Sequence, residues 1–200
     1  MSNASHQAIS GKRGANRERI LRAALEIISA QGVDKVTHRA VAGLANVSPG
    51  TTTYHFASRE ALVRDAFDLY IADSEKALVE ALTQRPLQSR EDFIGFLSGM
   101  TTLQPEQSAF SAIEYEMVLF AARDSEMKMR VAAWSRVLDS WLSDPLERLG
   151  ATRPLEGARI LVALCRGSEF EVLSRQMPLS GSQFHSRLNA MLDLVLGLSD

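Results

Sequence analysis

Apolar residues recur at helical spacing almost from the start of the chain. Leu21, Ala24, Leu25 and Ile28 stand at i, i+3, i+4 and i+7, the period of one buried helix face. A first helix is predicted from Asn16 to Gln31, closed by Gly32, because glycine readily takes the left-handed conformation that ends many helices. Thr37 suits the N-cap of a short second helix, residues 38–45, whose inner face would be Val41, Ala42 and Ala45. Asn46 tolerates a left-handed turn. In Ser48-Pro49 the serine can accept from the first unpaired amides, and the missing proline N–H costs nothing at the first helical position. A third helix therefore runs from Pro49 to His55. Thr51, Thr52 and Thr53 are β-branched and favour a strand on propensity. The cap outweighs them, since no other strand-like segment is present to pair with them.

Ser58 caps a long helix over 59–83, its turns marked by Leu62, Ala66, Leu69 and Val79, with Glu60 near the positive end of its dipole. Further helices are predicted over 89–100, 105–123, 125–149, 153–176 and 181–198. Pro105, Asp124-Ser125, Gly150, Pro154, Pro178 and Gly181 mark the breaks between them. Pro145 lies inside 125–149 and is expected to kink or divide that helix. The predicted fold class is all-α: a three-helix N-terminal domain followed by a larger helical bundle. A basic arm over 1–15, a small domain over 16–60 and a large one over 61–200 are the expected divisions.

Composition adds three points. A chain of 200 residues buries enough surface to fold without metal or disulfide staples. The only cysteine, Cys165, follows the apolar run Ile160–Leu164, where a lone thiol acts as a small core hydrophobe in a reducing compartment. Residues 1–14 are polar and lead into no apolar stretch of signal-peptide or membrane-span length, so a cytoplasmic location without a membrane partner is expected. The net charge of -2 hides an asymmetry. Residues 1–60 carry eight basic against four acidic side chains, +4, and the remainder fourteen against twenty, -6. A basic head on an acidic body suggests a module that faces a polyanion.

The second and third predicted helices, joined by a tight turn, have the dimensions of a helix-turn-helix, whose second helix enters the major groove. Ser48, Thr51, Thr52, Thr53, Tyr54 and His55 make that helix rich in short donors able to reach phosphates and base edges. A helix built only for packing would more often use Leu, Ala, Glu or Lys at those positions.

The stretch Ala24-Leu25-Glu26-Ile27-Ile28, Gly32, Val36-Thr37, Val41-Ala42, Ala45, Val47-Ser48, Gly50-Thr51, Tyr54-His55-Phe56, Ser58-Arg59-Glu60 and Leu62 resembles the N-terminal signature of the tetracycline-repressor (TetR) regulators. The resemblance implies DNA binding through Thr37, His38, Arg39, Ser48, Pro49, Gly50, Thr51, Thr52, Thr53, Tyr54, His55 and Arg59. Arg59 stands where the family usually has lysine and would contact a phosphate, while Phe56, Val41 and Val47 would be core. Thr53 replaces a common phosphate-contacting tyrosine, Asn46 a glycine and Ala57 a proline; Tyr54 can take part of the role missing at Thr53.

Several residues admit two readings. Lys12, Arg13 and Arg17 form either an arm reaching DNA or a solvated tail. His38 and Arg39 face the DNA backbone or water, and His55 either meets a phosphate or seals the small domain. In the large domain Phe67, Tyr70, Phe96, Met100, Phe110, Tyr115, Phe120 and Trp134 line a cavity for a small-molecule effector, as the resemblance implies, or form an ordinary core. Glu114 and Glu116 flank Tyr115, and either one of them faces a cationic or hydroxylated ligand or both lie in solvent. Residues 153–176 and 181–198 are apolar around so much of their circumference that they predict a homodimer through a four-helix bundle, or a wholly buried helix in one chain.

No HExxH, paired ExxH, phosphate loop or GxSxG is present, and His6, His38, His55 and His185 are scattered. No enzyme, metal or cofactor is expected. A helical adaptor for proteins would leave the basic head and Ser48–His55 without purpose. The expected function is a ligand-responsive regulator, a repressor that binds a palindromic operator as a homodimer and is released by a small-molecule inducer.

Overall fold

The computed structural model describes residues 3–101, 109–174 and 180–197, with side chains in its first helix described from Gly14 onward and in its sixth from Ser111. Among the described residues there are nine α-helices, one 3-10 turn and no strand: α1 Asn3–Gln31, the turn Val33–Lys35, α2 His38–Leu44, α3 Pro49–His55, α4 Arg59–Gln84, α5 Arg90–Met100, α6 Ala109–Ala121, α7 Ser125–Arg148, α8 Pro154–Ser174 and α9 Gly181–Leu196. No described helix is long and apolar enough to cross a membrane. Helix α7 runs undivided through Pro145, so of the two expected outcomes division does not occur. The proline lies in the last turns of α7 beside the buried Leu142 and Leu146, so one lost backbone hydrogen bond is offset by packing.

The chain forms two compact units. The first comprises Met1–Ser74 and Ile113–Met127, the second Glu75–Ala112 and Lys128–Asp200. The first unit thus extends beyond residue 60 and takes in most of α6.

In the first unit, Ile20, Ala24, Ile28, Val36, Val41, Phe56, Leu62, Val63 and Ala66 are almost wholly buried; each large one is worth about 1.5–3 kcal/mol of burial. Val47, expected in this core, is half-buried. Ion pairs bind α1 to α4: Arg17 reaches Asp65 at 2.7 Å, and Arg22 pairs with Asp73. Arg17 also lies over the Phe56 ring, 5.5 Å from its centroid. Arg17, exposed at the surface, is thus tied to α4 and to Phe56, while the side chains of Lys12 and Arg13 lie outside the described residues. Arg64 of α4 meets Asp124 at 3.0 Å, and Asp124 also accepts from the Met127 amide at 2.8 Å. These donors, Arg64 foremost, hold the Asp124 carboxyl below its ordinary range.

The second unit is built on Phe93, Ile94, Leu97, Leu142, Leu146, Leu161, Phe184, Leu188 and Leu192, all within one buried cluster. Helix α9 packs on both α8 and α5. The α8 crossing is close because Gly157 has no side chain: a Cβ there would run into Cγ1 of Val195. Arg90 of α5 ties to the Asn189 carbonyl at 3.0 Å and to Asp193. Cys165 is half-buried at its surface, yet burial of the thiol pushes its pKa up to about 11, as expected of a packing residue and not of a nucleophile.

Candidate nucleic-acid interface

The caps predicted from sequence form as hydrogen bonds. Thr37, in extended backbone, accepts from the Ala40 amide at 3.1 Å through its side chain, and Ser48 accepts from Thr51 at 3.3 Å ahead of Pro49. Between α2 and α3 the chain reverses through Asn46 at φ 52°, a conformation asparagine tolerates better than most residues. The Val47 amide returns to the Ala42 carbonyl at 3.0 Å, and Arg19 of α1 donates to the carbonyls of Ala45 and Asn46. One carbonyl near the end of α2 and two in the turn after it are thereby paired.

Helix α3 is two-faced. Gly50, Thr53 and Tyr54 are exposed, Tyr54 at 66 %, and Ser48 and Pro49 are exposed at its start. Thr51 and His55 are half-buried. The Thr51 hydroxyl meets Ser48 Oγ at 2.8 Å, and the Tyr54 and His55 rings stand edge to face at 5.3 Å. Thr52 corrects the sequence expectation. It is fully buried, and its hydroxyl donates to the carbonyls of Pro49 at 2.8 Å and His38 at 3.3 Å. Its Oγ is turned into the α2–α3 seam, where burial requires a partner, and cannot read a base from there.

On α2, Thr37 and Arg39 are exposed, whereas His38 is half-buried with Nδ1 shielded from solvent. Arg59 is committed inside the unit: Nε donates to the Val36 carbonyl at 2.9 Å and Nη2 to that of Val33 at 2.6 Å. Glu60 beside it sits below the ordinary carboxylate range, chiefly through its own backbone amide, in keeping with its place at a helix start. Glu116 has a role that sequence patterning missed. Its Oε2 accepts from the Val33 amide at 3.0 Å, a pairing over long sequence separation that no local pattern signals.

The effector candidates fall into both units. Phe67 and Tyr70 are buried in the first unit, with the Phe67 and Phe120 ring centroids 5.8 Å apart and Tyr115 half-buried on α6. In the second unit Trp134 is buried, Phe96 half-buried and Met100 exposed. The Phe110 side chain lies outside the described residues. A cleft of about 370 Å³ in the second unit is lined by Leu82, Leu87, Trp141, Asp144 and Arg148 among others, and by none of the eight candidates. Among the described residues no group of three His, Cys, Asp or Glu side chains is placed to hold a metal ion.

Residues 20–66 match the model of bacterial regulatory proteins of the tetR family, and residues 88–198 that of the tetracyclin repressor-like C-terminal domain. The chain is 29% identical over 111 residues to the HTH-type transcriptional regulator UidR of Escherichia coli K12, a match covering 56% of this chain and 54% of the relative. It thus spans about half the length of the curated relatives it matches. Among solved structures, a transcriptional regulator from Rhodococcus sp. Rha1 superposes with a TM-score of 0.78 at 18% identity, over 92% of this chain and 97% of that one. The multidrug binding protein EbrR complexed with ethidium gives 0.66 at 26% identity, over 88% and 97%. With a capped helix-turn-helix at its head and family matches at both ends, the chain belongs to the tetR family of transcriptional regulators, which bind DNA and are not enzymes.

Proposed function

We propose that this chain is a repressor that binds a palindromic operator as a homodimer and releases it when a small-molecule inducer enters the larger domain. The observation that carries the reading is the exposed face of α3. Gly50, Thr53 and Tyr54 project from a short helix whose start is fixed by Ser48 and whose inner side is anchored by Thr52 and Phe56. A rigid helix with donors on its outer side is what major-groove reading requires. Tyr54 reaches furthest and supplies the contact that Thr53 is too short to make. Thr37, Arg39, Ser48 and His55 meet phosphates on either side of the groove, and His38 and Arg59 support them from within.

Pairing of two chains falls to α8 and α9. Ile160, Ala163, Gly167 and Phe170 lie at exposed positions on one side of α8, and Ala190 and Leu194 are exposed on α9, with Phe170 at 58 % and Leu194 at 62 %. Small residues between large apolar ones admit a close partner helix, and a two-fold arrangement pairs the same faces. The effector is a small molecule held by aromatic side chains, a reading supported by the relative solved with ethidium. Tyr115 and Phe120 on α6 and Phe67 and Tyr70 on α4 supply such side chains within the first unit.

Selection of bound duplexes from random DNA by the full-length protein, followed by a salt titration on the enriched sequence, tests the reading. An inverted repeat with affinity falling steeply as salt rises is expected. No enrichment, or binding indifferent to salt, would overturn it.

A further inference from the structure

The turn between α1 and α2 is held by charge at a single residue. The Val33 amide, first after the left-handed Gly32, donates to Glu116 of α6 at 3.0 Å, and the Val33 carbonyl accepts from Arg59 of α4 at 2.6 Å. Arg59 also holds the Val36 carbonyl, one residue before the Thr37 cap. No side chain of Val33–Lys35 is buried, so ahead of the buried Val36, which closes the turn, the two charged side chains supply its side-chain anchors. Gly32 lies at φ +88°, and a Cβ there would come 3.2 Å from Glu116 Oε1. The carboxylate would be in tight contact with any side chain placed there.

We propose that Glu116 is a positioning residue for DNA binding: from α6, outside the residues 20–66 of the N-terminal family match, it sets the turn that aims α2 and α3. The inference rests on the DNA-binding reading above. A carboxylate accepting from an amide is stronger than a neutral hydrogen bond and, being partly buried, is weakly screened by salt. Loss of that acceptor loosens Val33–Lys35, which have no buried side chain of their own, and shifts the entry to the cap at Thr37 that follows Val36. The DNA-reading unit is thus incomplete without α6, in accord with the inclusion of Ile113–Met127 in the first compact unit.

The test uses the full-length protein and the duplex that the wild-type chain enriches from random DNA. In Glu116→Ala, exchange of the Val33 amide followed by NMR should quicken and affinity for that duplex fall, each roughly ten-fold, the size expected for one charged hydrogen bond. Glu116→Gln keeps an acceptor oxygen and should retain most of both. A residue that only stabilises the fold would lower the melting temperature and leave the affinity of the folded protein unchanged. Gly32→Ala should weaken binding as well, and less so in the Glu116→Ala background, where its steric conflict is gone. Where Glu116→Ala does not fold, Glu116→Gln and Glu116→Asp decide the matter, since Asp keeps the charge but withdraws it by one methylene. Unchanged Val33 exchange, unchanged affinity, or Gln no better than Ala overturns the role of Glu116. A wild-type chain that enriches no duplex overturns the functional reading itself.

Discussion

Thr52 and Tyr54 are two residues apart on α3 and have opposite surroundings. Thr52 is sealed between α2 and α3 with its hydroxyl on the Pro49 and His38 carbonyls, while Tyr54 is 66 % exposed. Thr52→Ala removes a buried methyl and a satisfied hydroxyl and should cost about 1–2 kcal/mol in urea unfolding. Binding to all duplexes should weaken alike, and a changed base preference in a repeated selection would refute this placement. Tyr54→Ala should leave stability within about 0.5 kcal/mol, as exposed positions do, and lower affinity for the selected duplex about five- to ten-fold by anisotropy. That helix α3 exists was legible in Ser48-Pro49. Which threonine faces inward was not, because Thr51, Thr52 and Thr53 are chemically alike and only the position of α2 distinguishes them.

At the scale of elements, local signals placed the helices and long-range partners oriented them. The caps at Thr37, Ser48 and Ser58 and the left-handed Gly32 and Asn46 lie within a few residues of the amides and turns they serve, which is why sequence alone locates them. The Arg64–Asp124 pair joins segments 60 residues apart and has no local signature. Its carboxyl is held below the ordinary aspartate value, so its contribution to stability is fully present above that value and is lost as pH falls through the lower folded one. Asp124→Asn should therefore be less stable than wild type at pH 7 by about 1 kcal/mol in urea unfolding, and the gap should close as pH drops below the ordinary carboxylate range. A gap that persists at acid pH would argue against the ion pair. At the α8–α9 crossing, Gly157→Ala should cost about 1–3 kcal/mol through overpacking. Val195→Ala should recover part of that loss in a double-mutant cycle.

At the scale of the molecule, exposed apolar residues on α8 and α9 mark where a second chain belongs in the proposed dimer. Phe170→Glu places a charge on that face, far in sequence from α3, and should shift the protein to monomer in analytical ultracentrifugation. Affinity for an inverted-repeat duplex should fall with it, since one chain reads only one half-site. A variant that stays dimeric would move the interface elsewhere.

The sequence by itself determined the class of fold and most helix boundaries to within a few residues, because helical period, caps and turn residues are local properties of the chain; the start of the first helix, expected at Asn16 and found at Asn3, is the exception, since residues 3–15 carry no apolar period to mark it. Only the tertiary structure decided that Thr52 faces inward, that Arg17 pairs with Asp65 at the surface, that Arg59 grips the turn before α2, and that Glu116 reaches it from α6. Those assignments depend on which segments meet across more than twenty residues or on which helix face a neighbour covers, and no periodicity records either.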